Sequence, residues 1–361
     1  MSHPTDTVLV TVRARTDLGK TRDHNEDAFL VADLTSRTVD ITTGGSHGVG
    51  ERGTLFLVAD GMGGAAAGEL ASSMAADLIF RHLIESWSGE TDLSSESFAG
   101  HLRAAVEHAN ERIHLYSKEH PDVRGMGTTV TVGGVLHSSL YLAQVGDSRA
   151  YLVRGGVATQ LTKDQSLMQR LVDAGELTEA EAEQSERRNI ILQALGPDAK
   201  IRVDLTWQDL LRGDTLVICS DGLSGQVKRE EFGQLVQELP DLDALCARLI
   251  AIANERGGPD NITVVAVRFD GDGLPEAEVN AEVGYHAFPS GEHESAEVPA
   301  LIPEPPEPTR EAPVPPPPQT APASDAPPPV PTRRSGSPAT IAAVGGVILL
   351  VLLALYLLLK R

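Results

Sequence analysis

Three aspartates stand where apolar runs break off. Asp60-Gly61 follows LFLVA, Asp221-Gly222 follows TLVICS, and Asp260-Asn261 precedes ITVVAV. Each alone is ordinary turn chemistry, because Asp, Asn and Gly all favour tight turns. Together they point elsewhere. Buried strands of one core that end at the same edge would gather the three carboxylates. Like charges that close do not all stay ionised without a cation. An oxygen-only donor set selects hard cations, Mg²⁺ or Mn²⁺. Glycine beside Asp60 allows close backbone approach, so the Gly61 carbonyl is itself a candidate ligand.

Other segments add to this set. TRDHNEDAF brings Glu26 and Asp27 to the start of a strand, with Arg22 four residues before Glu26. The carboxylates suit metals, and a guanidinium binds phosphate through a two-pronged fork. Asp147 sits in the turn of VGDSRAY. Asp164, in TKDQS, stands just before a helix, where a capping role is expected. Gly61-Met62-Gly63-Gly64-Ala65-Ala66 also matches the dinucleotide pattern G-x-G-x-x-G/A. Against that rival, Asp60 would repel a pyrophosphate, and no second strand ending in an acid follows at the right distance. Neither a P-loop lysine nor an EF-hand loop occurs.

The elements that must carry these residues are legible from β-branched enrichment and turn punctuation. Strands are expected at 8–15, 27–33, 54–60, 128–136, 140–146, 149–155, 214–221 and 261–269. Helices are expected at about 66–86, 97–119, 165–174, 178–186, 229–238 and 241–256. Strands joined by tight turns, with helices in separate blocks, imply antiparallel sheets with helices packed outside. Cys219 and Cys246 lie in apolar runs without metal-ligand spacing and read as core thiols. So few cysteines suit a reducing compartment.

The chain has 361 residues and a formal net charge of −21. That balance excludes a nucleic-acid backbone as the ligand and suits metal ions. Three regions follow from composition. Residues 5–270 are the folded domain. Residues 271–338 hold 18 of the 23 prolines, and 271–335 has eleven acidic residues against three arginines. Such a segment buries too little apolar surface to offset its ordering entropy, so an extended, disordered linker is expected. Residues 339–359 are almost unbroken apolar sequence. At about 1.5 Å per residue a helix of that length spans the roughly 30 Å hydrocarbon core. A single transmembrane helix is expected there. The N-terminus lacks a basic stretch followed by an apolar one, so no secretory signal is expected. The expected location is the cell membrane, single-pass, with the large N-terminal part in the cytoplasm.

The spaced motifs RDHNED (22–27), ADGMGG (59–64), GMGTT (125–129), VGDSRAY (145–151), NIILQALG (189–196), CSDGLSG (219–225) and PDNIT (259–263) occur in one order over residues 8–269. In this the chain resembles the bacterial metal-dependent protein phosphatases of the protein phosphatase 2C family. The resemblance implies an α+β fold, a four-layer α-β-β-α sandwich of two antiparallel sheets flanked by helices. It implies two Mn²⁺ or Mg²⁺ ions and a third, weaker one. Asp60 would bridge the first two. Asp221 and Asp260 would complete one ion, and the Gly61 carbonyl and Glu26 the other. Asp27 would support the attacking water, Arg22 would clamp the phosphate, and Asp147 would help hold the third ion. The implied reaction is direct hydrolysis of phosphoserine and phosphothreonine in proteins. Phosphorylated proteins are the expected partners, with membrane Ser/Thr kinases and their substrates suggested by the anchor. Three positions depart from common family residues: Met62, Ala65 and Gln165 each stand where some members carry His. A catalytically inactive, membrane-tethered phosphoprotein scaffold is the alternative of another class, distinguished by metal-dependent turnover of a phosphoester.

Overall fold

In the computed structural model the described residues are 7–42, 44–185, 187, 189–276 and 282–289. Chain contacts define one unit ending at His293 and a second from Glu294. The second, with the 339–359 segment expected to cross a membrane, lies outside the described residues. Among the described residues no helix is long and apolar enough to cross a membrane.

Among the described residues, thirteen strands form two antiparallel sheets. Strand β1 (Leu9–Asp17) pairs along its whole length with β13 (Ile262–Asp270), which also pairs with β12 (Thr215–Cys219). The hairpin of β9 (Arg149–Arg154) and β10 (Val157–Gln160) and the short β4 (His47–Gly48) complete the order β10-β9-β12-β13-β1-β4. The second sheet contains β2 (Asp27–Asp33), β3 (Thr38–Val39), β5 (Thr54–Met62), β7 (Val130–Leu136), β8 (Ser139–Val145) and β11 (Asp204–Asp209). Its order is β11-β8-β7-β5-β2-β3, and β6 (Gly127–Thr128) pairs with β5 off that path.

Helices cover the outer faces. The pair α1 (Ala65–Ser86) and α2 (Ser95–Glu119) packs on the second sheet. The helices α6 (Arg229–Glu238) and α7 (Leu242–Glu255) pack on the first. Four layers enclose three cores, and the strands serve two each. On β5, Leu55, Leu57 and Ala59 face α1 and α2, while Phe56 and Val58 face the other sheet. On β12, Leu216 and Ile218 face the inter-sheet core, while Val217 and Cys219 face α7. An antiparallel strand usually has one wet face and alternates polar with apolar. Here both faces are dry, so β5 and β12 read as continuous apolar runs. Each fully buried large side chain contributes about 1.5–3 kcal/mol.

Two shorter helices, α3 (Leu167–Asp173) and α4 (Glu179–Glu183), form an excursion after β10. Capping of α3 falls to Ser166, whose hydroxyl accepts from the Gln169 N–H, and not to Asp164 as the sequence suggests. The one-turn helix α5 (Asp221–Ser224) and the polar strand β11 have no counterpart in the sequence-based expectations. Beyond β13, residues near 282–288 return to the second sheet. The Trp207 N–H donates to the His286 carbonyl and the Phe288 N–H to the Leu205 carbonyl, which covers the β11 edge.

Candidate active site

Strands β2 and β5 are in register with Asp27 directly opposite Asp60. Directly opposed residues place their Cβ atoms about 4.5–5.5 Å apart, and like charges there repel. Asp60 does not end its strand. The strand continues through Gly61 and Met62, which pair with Thr128 and Gly127 of β6. Asp221 opens α5, two residues beyond β12, and Asp260 lies two residues before β13. Asp147 sits between β8 and β9 and is 6% exposed. The fold thus collects carboxylates from both sheets at one end of the sandwich.

Their electrostatics show the proximity. Burial, then the charges of Asp27, Asp221, Asp147 and Asp260, hold the Asp60 carboxyl well above the usual carboxylate range. Burial, with Asp221 and Asp260 nearby, pushes Asp27 up to about 7. Burial, with Asp221 and Asp164, pushes Asp147 up to about 8, and Arg149 opposes the rise. Burial and then Asp260 raise Asp221, against a hydrogen bond to Asp60. Glu26 is raised mainly by burial.

The neighbouring groups set positions. Asp27 Oδ2 accepts from the Ser220 hydroxyl at 2.8 Å, and Ser220 Oγ accepts from the Thr263 N–H at 3.0 Å. Asn261 ties the 18–26 loop to the start of β13. Its Oδ1 accepts from the Glu26 N–H at 2.8 Å, and its Nδ2 donates to the carbonyls of Leu18 and His24. The Asp60 carbonyl accepts from the Thr129 N–H and the Thr128 hydroxyl, both at 2.9 Å. Gly61 is pressed between elements. A Cβ there would lie 2.3 Å from the Gly68 carbonyl oxygen and 2.5 Å from that of Glu26. The Glu26 carboxylate itself lies against Gly68, in the first turn of α1. Sequence reasoning passes over Ser220, Asn261 and Thr129, although each lies in one of the spaced motifs: CSDGLSG, PDNIT and GMGTT.

Arg22 is half-exposed at the rim. Its Nη2 donates to Asp260 Oδ2 at 2.8 Å, one of five donors on the guanidinium. Asp164 forms a two-pronged pair with Arg149 at 2.7–3.1 Å.

The donor set fits hard cations. It is oxygen-only, it gathers Asp27, Asp60, Asp147, Asp221 and Asp260, and Asp27 Oδ1 and Asp147 Oδ1 are buried without a hydrogen-bond partner. Among the described residues no three acidic or histidine side chains converge as a finished cation cage. Two of the carboxylates are offset by donors instead: Asp260 by Arg22 and Asp27 by Ser220.

A family model described as "Protein phosphatase 2C" matches residues 45–262. The serine/threonine phosphatase stp of Listeria monocytogenes is 37% identical over 257 residues, covering 71% of this chain and 94% of that protein. The serine/threonine protein phosphatase PstP of Mycobacterium tuberculosis is 37% identical over 259 residues, 72% of this chain and 45% of that one. Among solved structures, the catalytic domain of PstP in complex with two manganese ions superposes with a TM-score of 0.59 at 35% identity, covering 73% of this chain and all of that one. A Streptococcus agalactiae serine/threonine phosphatase gives 0.62 at 32% identity, covering 72% and 99%.

Proposed function

The chain belongs to the protein phosphatase 2C family, and from that premise we propose that it hydrolyses phosphoserine and phosphothreonine in proteins with Mn²⁺ or Mg²⁺. The opposed pair Asp27 and Asp60, joined by Asp147, Asp221 and Asp260 from other elements, is the observation that carries this reading. Asp60, Asp221 and Asp260 would hold one ion, and Asp60, the Gly61 carbonyl and Glu26 the second. Asp147 would help hold a third, weaker one. When bound, such ions act as Lewis acids that make water nucleophilic at neutral pH and neutralise phosphate charge.

The chain's own residues supply the rest. Asp27 Oδ1, buried and without a hydrogen-bond partner, would orient an attacking water. Arg22 has donors beyond the one Asp260 takes and would turn them on the equatorial phosphate oxygens, where charge rests in the transition state. Attack on phosphorus forms a P–O bond to water's oxygen and breaks the P–O bond to the serine or threonine Oγ, which takes a proton. A cysteine nucleophile does not fit. Burial pushes the Cys219 and Cys246 thiols up to about 12, so neither is a thiolate at neutral pH.

We further propose that residues 339–359 tether this activity to the cytoplasmic face of a membrane, through the proline-rich segment 271–338 after a catalytic domain at 5–270. There it would oppose Ser/Thr kinases on shared substrates. The support is the length and apolarity of 339–359 and the raised effective concentration a tether provides. The decisive experiment follows phosphothreonine-peptide hydrolysis by the full chain with Mn²⁺, with Mg²⁺ and with EDTA. Turnover with metal and none with EDTA is expected. A folded chain that binds Mn²⁺ and turns over nothing would overturn the reading in favour of a phosphoprotein-binding scaffold. Fractionation of cells expressing the chain with and without 339–359 tests the tether. Equal release of both into the soluble fraction would refute it.

A further inference from the structure

The excursion carrying α3 and α4 leaves and re-enters the fold at one point. Ser166 bridges Ile191 in antiparallel fashion, the Leu167 N–H donates to the Ile190 carbonyl at 2.9 Å, and the Leu192 N–H donates to the Gln165 carbonyl at 2.8 Å. Gln165, at this base, is 7% exposed. Its backbone N–H and its Oε1 face the turn that carries Asp147. The Gln165 N–H donates to the Gly146 carbonyl at 2.8 Å, and Gln165 Oε1 accepts from the Gly146 N–H at 3.0 Å. Gln165 therefore bonds both backbone polar groups of the residue before Asp147, and Gln144 Nε2 donates to the same Gly146 carbonyl at 3.1 Å.

The carboxamide is anchored on its other side. Gln165 Nε2 donates to Asp204 Oδ2 at 2.9 Å and to the Arg202 carbonyl at 3.2 Å. Turning the amide over would set its NH₂ against the Gly146 N–H and its oxygen against Asp204, so the network admits one orientation. The turn itself has no slack. Gly146 has φ +105°, and a Cβ there would lie 2.6 Å from the Thr129 side chain. Asp147 thus goes where Gly146 is held.

We infer that Gln165 is a positioning residue that ties the base of the 167–190 excursion to Asp147, so that the excursion and the weakest cation site are ordered together. This rests on the reading of Asp147 as a ligand under Proposed function. Hydrogen-bonding groups behind a metal ligand change affinity by roughly 10–100-fold when removed.

The test uses the full chain, Mn²⁺ titration calorimetry and amide hydrogen exchange. Asp147→Asn first identifies the Mn²⁺ step that depends on Asp147. Gln165→Met keeps side-chain length but loses donor and acceptor. It should weaken that step about 10–100-fold, leave the tighter steps unchanged, and speed exchange at the Gly146 and Leu192 amides. Gln165→Glu keeps an acceptor for Gly146 but sets a carboxylate against Asp204, so it should weaken the same step. Adding Asp204→Asn, whose amide can donate to the new carboxylate, should recover most of the loss. An added negative charge acting alone would tighten cation binding, so tighter binding in Gln165→Glu overturns the proposal. Unchanged Mn²⁺ binding in Gln165→Met, with faster Gly146 exchange, overturns it too, since the contact would then be structural only. Should Gln165→Met fail to fold, Gln165→Glu with and without Asp204→Asn decides. A wild-type chain that takes up no Mn²⁺ overturns the proposed function and this inference with it, whereas normal uptake with unaffected variants overturns this inference alone.

Discussion

Adding one methyl group at Gly61 tests whether the site depends on three backbones meeting. In Gly61→Ala the new Cβ would lie 2.3 Å from the Gly68 carbonyl oxygen, 2.5 Å from the Gly68 carbonyl carbon and 2.5 Å from the Glu26 carbonyl oxygen, where ordinary contact begins at 3.4 Å. Every neighbour is backbone, so no side chain can swing aside. The first turn of α1 and the start of β2 must each move by about 1 Å relative to β5. Overpacking of this kind costs about 1–3 kcal/mol, and a domain of this size loses roughly 2–4 °C of Tm per kcal/mol. A fall in Tm of about 2–12 °C follows. The same shift moves Glu26 away from Asp60 and the Gly61 carbonyl, and a 1 Å misplacement costs about 10²-fold in rate. Thermal melts and Mn²⁺-dependent hydrolysis of p-nitrophenyl phosphate read the two effects. Wild-type Tm with wild-type turnover would refute the close-approach argument. A lowered Tm with full activity would refute the placing of Gly61 and Glu26 at the reacting centre.

Replacing Asp60 with Asn should abolish turnover, while circular dichroism of the metal-free chain stays native, because the change removes repulsion toward Asp27. Near wild-type turnover would exclude Asp60 as a bridging ligand. Asp214→Ala strips a carboxylate from Arg154, which it meets at 2.6 and 2.9 Å with side-chain exposures of 1% and 9%. Removing one partner of a buried pair costs about 3–5 kcal/mol, so Tm should drop by about 6–20 °C with the site's metal uptake intact. Glu231, held down to about 2 mainly by its hydrogen bond to Arg256, contributes stability that is present above its ordinary pKa and lost as pH falls through about 2. Melts between pH 5 and 2 should therefore show a smaller acid loss in Glu231→Gln than in wild type, and parallel curves would contradict the assignment.

Much of the architecture is legible in the amino-acid order. The eight expected strands and six expected helices are all present, because β-branched runs and 3.6-residue periodicity are local signals. Elements with weak local signals are the ones that escape. DLTWQD in β11 is polar at both ends and is a strand only because β8 pairs with it along its length. The one-turn α5 is too short to show a period. Asp60 reads as the end of its strand because the apolar run stops there, yet Gly61 and Met62 still pair with β6. Asp164 sits where a cap is common, but Arg149, fifteen residues back, takes it in a two-pronged pair.

Sequence alone determined which chemistry was available: a set of carboxylates, a guanidinium and a glycine, in spaced motifs that suit hard cations and phosphate. It also divides the chain into three compositional regions, since proline density, charge and apolar length need no fold to be read. Tertiary structure alone decided that Asp27 faces Asp60 across two strands, that Asp147 arrives from the connection between the two sheets, that Arg22 rests on Asp260, and that Gln165 holds the peptide before Asp147. The physical reason is range. Propensity and periodicity act over a few residues, whereas register, burial and the mutual repulsion of carboxylates depend on partners scattered from residue 22 to residue 261, and no local pattern encodes those distances.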